Sequence, residues 1–260
     1  LNSVYTLTDA LFVSWGVGSR AMGGVSIVFP FVILQGAIAT ALGGGAASIV
    51  SRKLGEGSPE EAGRTTLSAM TAFYASALLI TLVGFLAMDP ILRLMGVTGE
   101  LYADAKAYFT ILLASNVFST GFSAIIRAEG RITYSLLIWV IPISVNIALD
   151  ALFILGFGWG VRGAALATVA CQFVSFSMSI LFFTRFSVQQ VRKQRPNLRR
   201  IGEILAIGLP SLIQMGSLSI ISMLLNNLLG NVSGSAGVTA YAYMSKGFAL
   251  LIVPFTAMAQ

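Results

Sequence analysis

The sequence contains no histidine and only one cysteine among its 260 residues. Histidine is the side chain that most often carries protons near neutral pH and the commonest ligand of transition metals. The single cysteine, Cys171, lies inside an apolar run, so no disulfide framework and no thiolate metal cluster is expected. The usual metal and redox sites are therefore excluded, and no organic cofactor is expected.

Charged residues are also scarce. They make up 10% of the sequence, whereas about a quarter of the residues of a soluble domain are charged, and 56% of the residues are hydrophobic. This composition is typical of an integral membrane protein. The net charge of +6 does not indicate a nucleic-acid partner, because the basic residues stand between apolar runs and not together on one soluble face.

Eight apolar runs predict an all-α protein that crosses the bilayer repeatedly. A helix needs about 20 residues to cross the hydrocarbon core, and none of the runs shows the alternation of a membrane barrel. The first run has no charged leader, so we expect it to be the interior of a helix that begins upstream, in a sequence cut at both ends. The expected spans are 1–17, 24–50, 66–88, 103–124, 134–157, 161–184, 202–229 and 236–260.

The basic residues are shared unequally between the two sides of the membrane. Most of them lie in alternate loops, and the intervening loops hold only Arg20, Arg93 and Arg162. The positive-inside rule therefore predicts a multi-pass protein of the inner cell membrane with its basic loops in the cytoplasm. The longest polar stretch, SVQQVRKQRPNLRR (187–200), separates six spans from two and is the expected boundary between two lobes.

Local signals predict where helices start, bend and approach one another. In GEGSPEEAG, Ser58 is the expected N-cap, Pro59 the first helical residue and Glu61 the partner of Ser58 in a capping box. Prolines within spans predict kinks, and small residues in the second span predict close packing of a neighbouring helix. The prolines are Pro30, Pro142, Pro210 and Pro254, and the small residues are Gly36, Gly43, Gly44, Gly45, Ala46 and Ala47.

Polar side chains inside the spans are the candidate functional residues. Asp150 lies in the middle of the fifth span, where a charge costs roughly 2.5 to 3.5 kcal/mol on insertion scales. Asn146 precedes it by four residues, so the two share one helix face. Asp9 of the first span and Thr168 of the sixth add a carboxylate and a hydroxyl. Such hard oxygen donors suit a proton or a small hard cation.

Alternatives remain open for several of these residues. Each acid is either functional or a neutral carboxyl hydrogen-bonded to Ser or Thr, and Thr168 either binds the cation or hydrogen-bonds within its own helix. Lys246 is the only basic residue deep in a span. It is either a counter-ion across a cavity or a side chain that extends outward to the lipid headgroups.

The order of several motifs resembles the MATE family of multidrug and toxic compound extrusion transporters. The resemblance covers the whole sequence, and its motifs are LTDALFVSWGVG, GGGAASIVSRKLGEG, IIRAEG, NIALDALFI and GAALATVACQ. It implies two pseudo-symmetric six-helix lobes around a central cavity. Residues 1–185 then form the N-lobe with a truncated first span, 186–201 a cytoplasmic linker, and 202–260 the first two C-lobe spans.

The resemblance also implies roles for individual residues. In the DinF-like branch of the family, an N-lobe site handles the coupling cation, and its positions correspond to Asp9, Asn146, Asp150 and Thr168. Another branch has an acid in the seventh span, where this sequence has Asn226 and Asn227. These two amides and Lys246 are the candidates for the substrate cavity.

The implied function is secondary active efflux without covalent chemistry, so the protein is not expected to be an enzyme. Amphipathic or cationic drugs would leave the cell in exchange for protons or sodium ions, carried by a monomer in the bilayer. One alternative is a flippase for a lipid-linked saccharide from the same superfamily, which needs cationic side chains in its cavity. The other is an intramembrane enzyme with paired acids, although the GxGD pattern of the aspartyl proteases is absent.

Overall fold

Every regular element in the described part of the chain is helical. The structure, a computed structural model, describes residues 24–97, 99, 101–119, 121–189, 191 and 194–258. The all-α prediction is confirmed for these residues. The helices are α1 (Phe29–Gly55), α2 (Pro59–Leu86), α3 (Met88–Leu94), α4 (Tyr102–Ser115), α5 (Ser123–Ala128), α6 (Ile132–Asp150), α7 (Gly160–Leu181) and α8 (Leu198–Met258).

Six helical segments are long and apolar enough to cross a membrane, so the chain is a multi-pass membrane protein. They are Phe29–Gly55, Pro59–Leu86, Tyr102–Ala128, Ile132–Gly156, Gly160–Phe186 and Leu198–Gly234. They correspond to the second through seventh expected spans, whereas the first expected span lies outside the described residues. Successive segments run in opposite directions, and one end of the bundle, the basic end, carries Arg52, Arg64, Arg127, Arg131 and Arg185.

The start of α2 was predicted correctly, but the capping box was not. The helix begins at Pro59, yet the Ser58 side chain makes no capping hydrogen bond. The backbone N–H of Ser58 donates to the carbonyl oxygen of Lys53 at 2.9 Å, so it is not available to Glu61. The Glu61 carboxylate instead pairs with Arg64 at 3.0 Å and with Arg200 of α8 at 2.7 Å. Long-range ion pairing has replaced the local cap.

Bends occur at one proline and at one glycine. A helical turn over residues 24–27 stops at Val28, just before Pro30 near the start of α1. Pro142 lies inside α6, which stays helical. In α8, non-helical backbone angles occur at Gly234, with φ of 61°. A kink within one continuous helix therefore replaces the loop expected between the seventh and eighth spans.

The small residues of α1 allow close helix packing, as the sequence predicted. A Cβ atom added at Gly45 would lie 2.3 Å from the backbone oxygen of Ile204 in α8. On the α8 side, a Cβ added at Gly208 would lie 2.1 Å from the backbone oxygen of Ala41. Gly44, by contrast, has nothing within 4 Å of that position. The α1 and α8 backbones are thus in direct contact, although α8 follows the expected lobe boundary.

The polar segment 187–200 is fixed to α2 at the basic end. The Thr66 hydroxyl donates to the side-chain oxygen of Gln189, and the backbone N–H of Asn197 donates to the Ser68 hydroxyl at 2.9 Å. The Arg200 guanidinium then bridges Glu61 and Glu203, each at 2.7 Å. This segment is therefore hydrogen-bonded along α2.

Glu129 lies half-buried at the basic end, outside the spans, and makes stability depend on pH. Burial raises the pKa of its carboxyl above the ordinary value of 4.5, against the opposing effect of the Ser187 hydroxyl, which donates to Oε1. The fold therefore favours the protonated form, and its stabilising effect is lost as the pH rises through the raised pKa. We expect Glu129→Gln to raise the melting temperature at pH 7–8 relative to the wild type, because the amide needs no ionisation. The gain should disappear below pH 4.5.

Thermal unfolding in detergent, followed by tryptophan fluorescence across that pH range, measures the effect. Glu56→Gln is the control, since hydrogen bonding to Lys53 lowers the pKa of that exposed carboxyl. A Glu129→Gln variant less stable than the wild type at pH 8 would show that the ionised form is the one the fold prefers.

Candidate cation site within the membrane

Asn146 and Asp150 form the polar centre of the site. Both side chains are fully buried in α6, at 0% exposure, and their spacing of four residues places them on one face. A π-helical segment, Ala151–Gly156, begins directly after Asp150. Such wide turns are frequent at functional sites because they change the direction of the side chains. The structure thus confirms that the amide and the acid lie together inside the bundle.

The neighbouring helix α7 adds Thr168 to this region. α7 packs along α6, and the Thr168 side chain is buried at 9% exposure. Its hydroxyl donates to the carbonyl oxygen of Ala164 at 3.1 Å, so it hydrogen-bonds within its own helix. The lone pairs of the same oxygen can still accept a hydrogen bond or bind a cation. Cys171, three residues further on, lies close enough to Asp150 to interact with it electrostatically, which orients this face of α7 toward the acid.

The Asn146 amide is the most informative part of the site. Its Oδ1 and Nδ2 atoms are buried, and neither has a hydrogen-bond partner among the described residues. Leaving one buried polar group unsatisfied costs about 1–3 kcal/mol. A structural role would supply a partner within the fold, whereas a binding role leaves the amide free to contact a ligand. The geometry therefore favours binding.

The donor set indicates which ligand would fit. Within the described residues, no three His, Cys, Asp or Glu side chains come together as a metal cluster. The site instead offers one carboxylate, one amide oxygen and one hydroxyl. These hard oxygen donors suit sodium or a proton and not a soft transition metal.

The other candidate residues lie elsewhere or outside the described residues. Asp9 belongs to the undescribed start of the chain, and for Lys246 only the backbone, within α8, is described. Asn226 and Asn227 lie against the turn that follows α3, where a Cβ on Gly96 would be 2.8 Å from their backbone. The side-chain amide of Asn227 donates to the Leu94 carbonyl oxygen at 3.4 Å. Contact with this turn was not predicted for either amide.

Comparison with known proteins gives a consistent result. The MatE family profile matches residues 1–152. The multidrug export protein MepA of Staphylococcus aureus (strain MRSA252) is 25% identical over 262 residues, which cover 98% of this chain and 56% of that protein. The chain therefore spans a little over half the length of the curated relatives it matches.

Solved structures agree with this result. An inward-facing multidrug resistance MATE family transporter of the MOP superfamily superposes with a TM-score of 0.91 at 30% identity, covering 100% of this chain and 60% of that one. The MATE multidrug transporter DinF-BH, determined in complex with a drug, gives a TM-score of 0.85 at 28% identity, with 98% and 58% coverage.

Proposed function

Because this chain belongs to the MatE family, we propose that it is the larger part of a secondary active multidrug exporter of the inner cell membrane. The protein moves amphipathic, often cationic compounds outward while a proton or a sodium ion moves inward. It forms and breaks no covalent bonds. The positive-inside rule places the basic end, with its linker at 186–201, in the cytoplasm.

The observation that carries this proposal is the buried pair Asn146 and Asp150. An acid at 0% exposure in a membrane span is costly unless it binds a proton, a cation or a partner, and acids of this kind mark ion pathways. The amide beside it is buried and has no hydrogen-bond partner within the described residues. With Thr168 and Asp9, these residues form the proposed coupling site of the N-lobe, residues 1–185.

Coupling follows from differential affinity. Binding of the ion at Asp150 neutralises the buried charge and so changes the relative free energies of the inward-open and outward-open states. The drug shifts the same equilibrium by its own difference in affinity. Ion and drug thus affect each other's binding reciprocally, without direct contact.

Everted membrane vesicles test the proposal. A fluorescent cationic dye is followed while the vesicles are energised in turn by a pH gradient and by a sodium gradient. We expect one of the gradients to drive dye accumulation in vesicles that contain the protein. The proposal is wrong if well-expressed protein supports no accumulation under either gradient.

We expect the ion dependence to be independent of α8. The double substitution of Asn226 and Asn227 by Ala should reduce transport by no more than several-fold, since these residues contact the turn after α3. It should leave the identity of the driving ion and its half-saturating concentration unchanged. Asn231→Ala, which removes only the hydrogen bond donated to Asn227, is the control. A change of driving ion in the double variant would move the coupling site to α8.

A further inference from the structure

Gln172 is a second membrane-buried amide with an unsatisfied oxygen. It lies on α7 four residues after Thr168, so the two side chains project from one face of the helix, about 6 Å apart along its axis. The Oε1 atom of Gln172 is buried and has no hydrogen-bond partner among the described residues. Sequence reasoning passed over this residue, although its spacing from Thr168 matches the spacing of Asn146 and Asp150.

The helix directions place Gln172 at the level of Asn146. α6 runs away from the basic end and α7 runs back toward it, since a short turn through Gly158 joins them. Asn146 therefore lies one turn from Asp150 toward the basic end, and Gln172 lies one turn from Thr168 in the same direction. Cys171 interacts electrostatically with Asp150, so this face of α7 is turned toward the acid.

Two unsatisfied amides at one level, on two packed helices, point to a common ligand. Burying either amide oxygen without a partner costs free energy that the fold does not recover internally. Both oxygens are neutral hard donors, which can replace the water molecules around sodium or accept a hydrogen bond from a protonated carboxyl. Neither can bind a negatively charged group. The shared ligand chemistry is therefore that of the coupling cation.

We propose that Gln172 is a further ligand of the coupling cation and that it acts with Asn146 on the basic-end side of Asp150. This inference rests on the proposed function, because it adds one residue to the same site. The Gln172 and Asn146 oxygens form the step by which the cation passes between Asp150 and the basic end. Asp150 supplies the charge, and the two amides supply neutral oxygens that hold the cation without trapping it.

Two substitutions at Gln172 make opposite predictions. Gln172→Met keeps the length of the side chain and removes the oxygen, whereas Gln172→Glu keeps the oxygen and adds a negative charge. The purified protein is titrated with NaCl at pH 8 by calorimetry, at constant ionic strength set with choline chloride. We expect Gln172→Met to raise the half-saturating sodium concentration roughly three- to tenfold, as for one lost hydrogen-bonding group, and Gln172→Glu to lower it. Gln214→Met, on an exposed position of α8, is the matched control and should leave it unchanged.

A protein driven by protons gives a different readout. If the wild type binds no sodium, the pH midpoint of dye efflux is compared between the wild type and Gln172→Met. The titratable groups facing Gln172 in the described part of the chain are Asp150 on α6 and Cys171 on α7. Loss of an oxygen that accepts a hydrogen bond from the protonated carboxyl should move the midpoint to lower pH.

The outcomes separate the inference from the proposed function. If the wild type transports dye and Gln172→Met changes only the melting temperature, Gln172 has a structural role and the inference is overturned alone. If the wild type binds sodium in the manner expected for Gln172 but transports no dye, the proposed function fails and the assignment of the ligand stands. A wild type that responds to neither ion overturns both.

Discussion

Asp150→Asn is expected to reduce gradient-driven efflux to the level of vesicles without the protein, while the variant folds and inserts normally. Asparagine has nearly the same shape as aspartate, so the packing around a side chain at 0% exposure is preserved. It carries no charge and takes up no proton, and therefore the site can neither attract a cation nor bind a proton. Removing a charge from the membrane interior should leave the melting temperature equal or higher, because burial no longer costs desolvation free energy.

Asp89→Asn is the matched control for this experiment. Asp89 is an exposed acid of α3 whose carboxylate pairs with the Lys106 ammonium at 3.1 Å. Its substitution should leave efflux near the wild-type level. Substantial efflux by well-expressed Asp150→Asn protein would contradict the role of Asp150 as the coupling residue.

Double mutants show whether the site acts as one unit. Asn146→Ala should by itself impair ion coupling, and the Asn146→Ala, Asp150→Asn double variant should be no worse than Asp150→Asn alone. Residues of one site are non-additive in this way, whereas independent residues lose the product of their separate effects. The same comparison between Asp9→Asn and Asp150→Asn tests whether the acid of the first span belongs to the site. Multiplicative losses would show that the residues act separately.

Gly45→Ala is expected to destabilise the protein strongly, whereas Gly44→Ala should have almost no effect. The new methyl group at Gly45 would lie 2.3 Å from the Ile204 carbonyl oxygen, and a backbone atom of α8 cannot rotate away as a side chain can. The helices must separate or shift, and overpacking of this kind costs about 1–3 kcal/mol or more. At Gly44 nothing lies within 4 Å, and alanine is the better helix former.

The two glycine variants differ by one residue and are compared under the same conditions. Thermal unfolding in detergent measures the loss of stability, and size-exclusion chromatography measures the fraction that stays monodisperse. Gly208→Ala provides a second test from the α8 side, since its methyl group would lie 2.1 Å from the Ala41 carbonyl oxygen. Equal melting temperatures for Gly44→Ala and Gly45→Ala would mean that α1 and α8 do not pack through this glycine.

The membrane class, six of the spans and the polar pair on α6 were determined by the sequence. An apolar run of about 20 residues has one economical structure in lipid, because a helix satisfies its backbone hydrogen bonds within the segment. The geometry of a single helix likewise places residues four apart on one face, so the proximity of Asn146 and Asp150 required no tertiary information. These features depend on residues that are close in sequence.

The partners of polar groups and the close contacts between helices were decided by the tertiary structure. Ser58 lost its predicted capping box because its N–H met the Lys53 carbonyl oxygen, while Glu61 reached Arg200 across 139 residues of sequence. Gln172 became a candidate ligand only when the fold left its oxygen buried without a partner among the described residues. Gly44 and Gly45 are identical by composition, yet only Gly45 faces the α8 backbone. In each case the deciding contact joins distant segments, and local spacing carries no information about which helix will lie opposite.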